Sequence, residues 1–170
     1  MNSRHRAREV ALQILYRNDV TIPTAGTPGI TPVNAIGTLS PPQLIQELQH
    51  HFSHFQVPEN LHEFVGEFVS GTLLKMKELD ATLEKHASNW KVGRMSYVDR
   101  SLLRMATYEL MYLPETPPSV VIDEAIELGK QFGTAETSGF VNGILDSIKS
   151  SIKNSAQSSG THNPSGGDSV

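Results

Sequence analysis

The chain contains no cysteine, which removes disulfide frameworks, thiolate-ligated zinc, iron–sulfur clusters and thiol nucleophiles from consideration. Aromatic residues are scarce, at 6% of 170 positions with a single tryptophan. No stretch approaches the ~20 apolar residues of a membrane span, and none near Met1 has the length of a signal-peptide core. These absences lead to the expectation of a soluble, cytoplasmic protein with no membrane partner. Catalytic signatures are missing as well. There is no Gly-rich loop followed by Lys-Ser/Thr, no Gly-x-Ser-x-Gly and no strand-borne dinucleotide fingerprint. Asp123 and Glu124 are adjacent and would diverge on a helix. The chain therefore reads as a non-enzyme without a cofactor.

What is present is an ordinary globular composition, 38% hydrophobic and 19% charged, in a length that fits one domain or two very small ones. The net charge of −4 hides an asymmetry. Arg4, Arg6, Arg8 and Arg17 against Glu9 make the first 18 residues +3, and the remainder is −7. A short basic arm on an acidic body points to an anionic partner, because a local cluster attracts phosphate even when the whole molecule is negative. Cations near a helix N-terminus also oppose the helix dipole. The plainer alternative is a solvated helix start.

Two segments resist packing. Residues 20–42 carry no charge, and 13 of the 23 are Pro, Gly or Thr, which predicts a flexible loop. Residues 153–170 belong to a Ser/Gly-rich tail expected to stay disordered. Between them every apolar pattern has helical spacing, so the expected fold is all-α. The first helix should span about Arg4–Asn18, with Ala7, Val10, Ala11, Ile14 and Leu15 inward. A short helix should follow Pro41-Pro42, and a long periodic stretch should run from Pro58 to Leu83. Ser96 and Asp99 form a capping-box-like start for a helix through Leu110. Helices over 119–132, closed by Gly133, and over 138–152 complete the set.

On a helical wheel, Arg6, Glu9, Gln13, Tyr16 and Arg17 share one arc opposite the apolar stripe. An exposed tyrosine among arginine and glutamine suits single-stranded RNA: bases stack on the ring, guanidinium groups bind phosphate, and the amide pairs with a base edge. Alternatively, Tyr16 packs on a neighbouring helix. Arg100 and Arg104, one turn apart, could extend the basic surface, although Arg104 is equally suited to pairing with Glu109 if that carboxylate is buried. His50, His51, His54 and His62 invite a metal site. The signal is weak, because Gly66 stands where the second histidine of a zinc-protease motif would be, so no metal is expected.

Four ordered motifs carry a resemblance: Arg6-Ala7-Arg8-Glu9-Val10-Ala11-Leu12-Gln13-Ile14-Leu15-Tyr16, Leu103-Arg104-Met105-Ala106-Thr107-Tyr108-Glu109-Leu110, Ile122-Asp123-Glu124-Ala125-Ile126-Glu127-Leu128 and Phe140-Val141-Asn142-Gly143-Ile144-Leu145. In this order the chain resembles the bacterial transcription antitermination factor NusB family. The resemblance implies a helical RNA-binding domain over 1–152, built as two small bundles sharing a long central helix. It implies binding of single-stranded boxA-type leader RNA of ribosomal RNA operons together with a small-subunit ribosomal protein, NusE. Other Nus factors and RNA polymerase would be engaged indirectly, and premature termination suppressed. The family's arginine-rich N-terminus corresponds to Arg4, Arg6 and Arg8, with His5 where arginine is common. Tyr16 falls on an RNA-contacting tyrosine and Phe140 on a nearby aromatic. Asp99 corresponds to an acidic position close to RNA and NusE, with Arg100 beside it. Self-association that buries the arm is left open. The other readings are a helical adaptor, and a stand-alone relative of the RNA-binding module of ribosomal RNA methyltransferases.

Overall fold

The periodic Ala7, Val10, Ala11, Ile14 and Leu15 wind into α1, Ser3–Thr21, where each is at most 5% exposed. In the computed structural model, residues 3–21 and 41–158 are described. They form α1, α2 (Pro41–His54), α3 (Glu59–Leu74), α4 (Met76–His86), a 3₁₀ turn at Val92–Arg94, α5 (Tyr97–Tyr112), α6 (Pro118–Phe132) and α7 (Thr137–Ser158). No strand occurs among the described residues, as the purely helical spacing predicted.

α5 is the helix the two groups share. It packs against α1 and α3 on one side and against α4, α6 and α7 on the other. Its sequence explains the position, because Leu102, Leu103, Met105, Ala106 and Leu110 point inward over several directions of the helix and are all buried. Truncating such a leucine to alanine costs about 2–5 kcal/mol.

Two boundaries and one cap differ from expectation. The apolar stretch from Pro58 to Leu83 breaks at Lys75 into α3 and α4. Just before the break, Gly71 lies against Tyr108, and a Cβ there would overlap the tyrosine hydroxyl. Gly133 ends α6 as expected, but its backbone is extended (φ −96°, ψ −165°) rather than left-handed. It is needed for close approach, since a Cβ would come within 2.6 Å of the Thr137 Cβ. α7 continues through Ser158, beyond the 152/153 limit read from composition. Extending an existing helix fixes one residue per hydrogen bond gained, so exposed serine and lysine can follow a packed segment. The remainder of the tail and the centre of the 20–42 loop lie outside the described residues. Among the described residues no helix is long and apolar enough to cross a membrane.

Candidate nucleic-acid interface

The basic N-terminus divides between surface and core. Arg8 immediately follows the inward Ala7 and is only 2% exposed. Its Nε donates to Glu109 Oε2 at 3.0 Å, and Nη2 donates to Glu109 Oε1. Nη1 also lies 4.0 Å from Glu124 Oε2. Arg8, expected at the RNA surface, is held in the interior instead: a buried carboxylate on α5 needs a cation, and α1 supplies it. The same pairing corrects the expectation for Arg104, whose Nε and Nη2 instead donate to Asp80 at 2.7 and 2.9 Å.

The neighbouring cations stay nearer solvent. Arg4 is exposed, with its guanidinium carbon 5.0 Å from the Phe64 ring centre. His5 sits between two carboxylates, Nδ1 2.6 Å from Glu124 and Nε2 3.3 Å from Glu9. The Arg6 side chain is 42% exposed and donates to Glu9 at 3.0 Å. Burial acts to raise the Glu9 carboxyl, but hydrogen bonds from Arg6 and Gln131 and the nearby His5 outweigh it and hold it below its ordinary value.

Further along α1, Tyr16 is 41% exposed. It does not bury itself against another helix. Its ring meets Tyr97 edge-on, with centroids 6.3 Å apart and planes at 84°. Tyr97 opens α5 and is itself 42% exposed. The Arg100 guanidinium carbon lies 4.5 Å from the Tyr97 ring centre. Arg100 is held there by a two-pronged bond to Asp19, Nε at 2.5 Å and Nη2 at 2.9 Å. The hydrogen bond to Asp19 raises the Arg100 pKa further against the effect of burial. With its side chain 15% exposed, Arg100, expected to extend the basic surface, is engaged by Asp19 and Tyr97. It braces an aromatic ring.

The Ser96 hydroxyl caps α5 by accepting from the Asp99 N–H at 3.1 Å. Asp99 Oδ1 accepts from the Thr137 hydroxyl at 2.8 Å, which ties the start of α7 to the first turn of α5. One turn along α7, Phe140 is thereby placed beside Asp99. The two share a hollow of about 180 Å³ with Trp90, Met95 and Glu136. Trp90 is 54% exposed and meets Phe140 edge-on at 5.7 Å. On the other side of the α5 start, Gln13, Tyr16 and Val98 line a groove of about 490 Å³. Gln13, Tyr16, Asp99 and Phe140 thus flank a single helix start, Arg4, His5 and Arg6 lie at the beginning of α1, and Arg8 lies underneath.

Sequence reasoning missed Trp90 and Tyr97. The signals were a lone tryptophan in the polar segment Asn89-Trp90-Lys91 and a tyrosine directly after a capping serine. The histidines serve packing: His62 stacks on Phe52 at 4.3 Å and bonds the Val57 carbonyl at 2.8 Å. Among the described residues no three His, Cys, Asp or Glu side chains gather as a metal site requires.

The NusB family model matches residues 5–150. A transcription antitermination protein NusB from Desulfatibacillum aliphaticivorans is 40% identical over 143 residues, 84% of this chain and 87% of the relative. The corresponding protein from Elusimicrobium minutum is 42% identical over 144 residues, 84% of this chain and 90% of the relative. Among solved structures, Thermotoga maritima NusB, 28% identical, superposes with a TM-score of 0.69 over 86% of this chain and 90% of its own. A crystal structure of the antitermination factors NusB and NusE in complex with dsRNA contains a chain 26% identical, with a TM-score of 0.68. That match covers 89% of this chain and 98% of the other.

Proposed function

This chain belongs to the NusB family, and on that premise we propose that it is a non-enzymatic RNA-binding transcription antitermination factor of the cytoplasm. It binds single-stranded boxA-type leader RNA together with the ribosomal protein NusE. The observation that carries this reading is the aromatic group around the start of α5, the exposed Tyr16 and Tyr97 on one side and the exposed Trp90 against a partly buried Phe140 on the other. Aromatic faces open to solvent, flanked by cations, are what unstacked bases recognise. Arg4 and Arg6 supply sequence-independent attraction to phosphate, and the rings with Gln13 and Asp99 supply base contacts. NusE, and through it other Nus factors and RNA polymerase, engages surface left over by the RNA, with Asp99 near the boundary.

The test is binding of a short labelled boxA-type RNA across a salt series, with and without NusE. Replacing Arg4 and Arg6 with alanine should lower the log–log salt slope by roughly 1.4, at about 0.7 per phosphate contact on single strands. Tyr16→Ala should cost ~1–3 kcal/mol and leave the slope nearly unchanged. As the sole tryptophan, Trp90 reports binding through its own fluorescence. Wild-type affinity equal for boxA-type and scrambled RNA, even with NusE present, would refute the reading and leave a helical adaptor.

A further inference from the structure

The 3₁₀ turn at Val92–Arg94 is pinned to the body. Val92 and Met95 are buried, and the Val92 N–H donates to the Glu84 carboxylate of α4 at 3.2 Å. The turn closes on itself through the Arg94 N–H to the Lys91 carbonyl at 2.9 Å and the Met95 N–H to the Val92 carbonyl at 3.1 Å. Around these anchors Trp90, Lys91 and Arg94 are exposed. Lys91 makes only a loose contact, its Nζ 3.9 Å from Glu84. Arg6, Arg8, Arg100 and Arg104 each have a carboxylate within ion-pair distance. Among the described residues Arg94 has none. The fold thus employs those four arginines in its own ion pairs and presents this one to solvent on a rigid turn.

We propose that Arg94 binds a backbone phosphate of the RNA, next to the nucleotide that meets Trp90, a role that rests on the RNA-binding reading above and extends its footprint to the turn before α5. The strand is then held at both ends of its path, by Arg4 and Arg6 at the start of α1 and by Arg94 beyond the α5 start. Three features support this. Arg94 directly precedes Met95, which lines the hollow beside the α5 start together with Trp90, Asp99, Glu136 and Phe140. The two carboxylates of that hollow repel phosphate, so a strand laid across Trp90 needs a cation beside it. Arg4 and Arg6 are too far away to supply it, since they lie twelve and ten residues before Tyr16, roughly 15–18 Å back along α1. A guanidinium fork matches two phosphate oxygens at once, and a turn already fixed by buried neighbours loses little freedom on binding. The 54% exposed Trp90 selects nucleic acid over an acidic protein segment, because a base can stack on the indole while its phosphate meets the guanidinium.

The experiment measures binding of labelled boxA-type RNA by the full chain across a salt series, in wild type, Arg94→Ala, Arg94→Lys and Lys153→Ala. Arg94→Ala should lower the log–log salt slope by about 0.7, the share of one phosphate on a single strand. Its deficit should be largest at low salt and fade as salt rises. Arg94→Lys keeps the charge and should keep the slope, while losing some affinity with the fork. Lys153 is an exposed cation of α7, sixteen residues after Thr137 and so about 24 Å along that helix; its replacement by alanine should leave the slope unchanged. Both positions are exposed, and equal thermal midpoints confirm that each variant folds. Neutral methylphosphonate linkages, placed one at a time along the RNA, then locate the contact. One linkage should weaken binding to wild type but not to Arg94→Ala, and it should adjoin the nucleotide whose abasic form no longer costs affinity in Trp90→Ala. A wild-type slope in Arg94→Ala would overturn the inference. So would an Arg94→Ala protein that binds RNA normally but no longer captures NusE, because the turn would then dock a protein. Failure of the RNA reading itself shows separately, as wild-type protein that does not distinguish boxA-type from scrambled RNA.

Discussion

Replacing Arg8 with alanine should unfold the protein more readily than it weakens RNA binding. The side chain makes a two-pronged bond to Glu109 and approaches Glu124 at 4.0 Å. Both Arg8 and Glu109 are 2% exposed. Removing one partner of such a buried pair leaves an uncompensated charge and costs about 3–5 kcal/mol. For a chain of this size each kcal/mol moves Tm by roughly 2–4 °C, so the midpoint should fall by about 6–20 °C. The double replacement Arg8→Met with Glu109→Leu removes both charges at similar volume and should be as stable as wild type or more so. Urea denaturation and thermal melts followed by circular dichroism measure the stability. At a temperature where Arg8→Ala remains folded, its salt slope for RNA should match wild type, while Arg6→Ala should lose about 0.7. An Arg8→Ala protein within ~0.5 kcal/mol of wild-type stability, with the slope reduced by about 0.7, would refute the argument and return Arg8 to the RNA surface.

Arg100→Ala should weaken RNA binding by releasing Tyr97, without changing the salt slope, and its effect should not add to that of Tyr97→Ala in a double-mutant cycle; a slope lowered by about 0.7 would make Arg100 a phosphate ligand instead. Gly71→Ala forces Tyr108 out of place and should destabilise by about 1–3 kcal/mol in urea titration, with Tyr108→Ala in the same chain removing the clash though not the lost packing. Burial, assisted by the Arg17 charge, holds the His51 imidazole below its ordinary pKa. The folded state therefore favours neutral His51, and the unfolded chain takes up the proton first as pH falls through about 6.5. Stability from this residue is present above that pH and is lost below it, and His51→Phe should flatten that part of the profile between pH 7.5 and 5.5.

The fold was legible because its signal is redundant. Each buried stripe repeats over several turns, so Ala7 to Leu15 and Leu102 to Leu110 identify their helices whatever the neighbours do. The break at Lys75 was not legible, because apolar spacing continues across it and the close approach of Tyr108 to Gly71 joins residues 37 positions apart. At the site, Tyr16 and Gln13 could be read from their arc on α1. Arg8 falls outside that arc, beside Leu15 and Ala11 on the wheel, which signals burial, but only tertiary packing shows Glu109 as the carboxylate waiting under it. The partner of Arg100 was likewise out of sight, because the Asp19 carboxylate that holds it lies 81 residues away.

Asp19 connects these observations. It accepts from Arg100 and lies 3.8 Å from Arg104, which in turn bonds Asp80 on α4. One carboxylate near the end of α1 thus pairs with Arg100 and approaches Arg104, tying α1 to α5 at that point. Tyr16 stands on α1 three residues before Asp19, and Tyr97 stands on α5 three residues before Arg100. The perpendicular meeting of the two rings therefore lies one turn from the ion pair along both helices. If stacking on these rings contributes to base recognition, Asp19→Asn should weaken RNA binding although the residue touches no RNA. The loss should exceed that of an exposed pair, about 0–1 kcal/mol, because the largely buried Arg100 guanidinium loses its two-pronged partner. Restoring the charge as Asp19→Glu, with the carboxylate displaced by one methylene, should recover stability more fully than RNA affinity. Equal recovery of both would mean that the pair matters for folding and that ring geometry does not govern recognition.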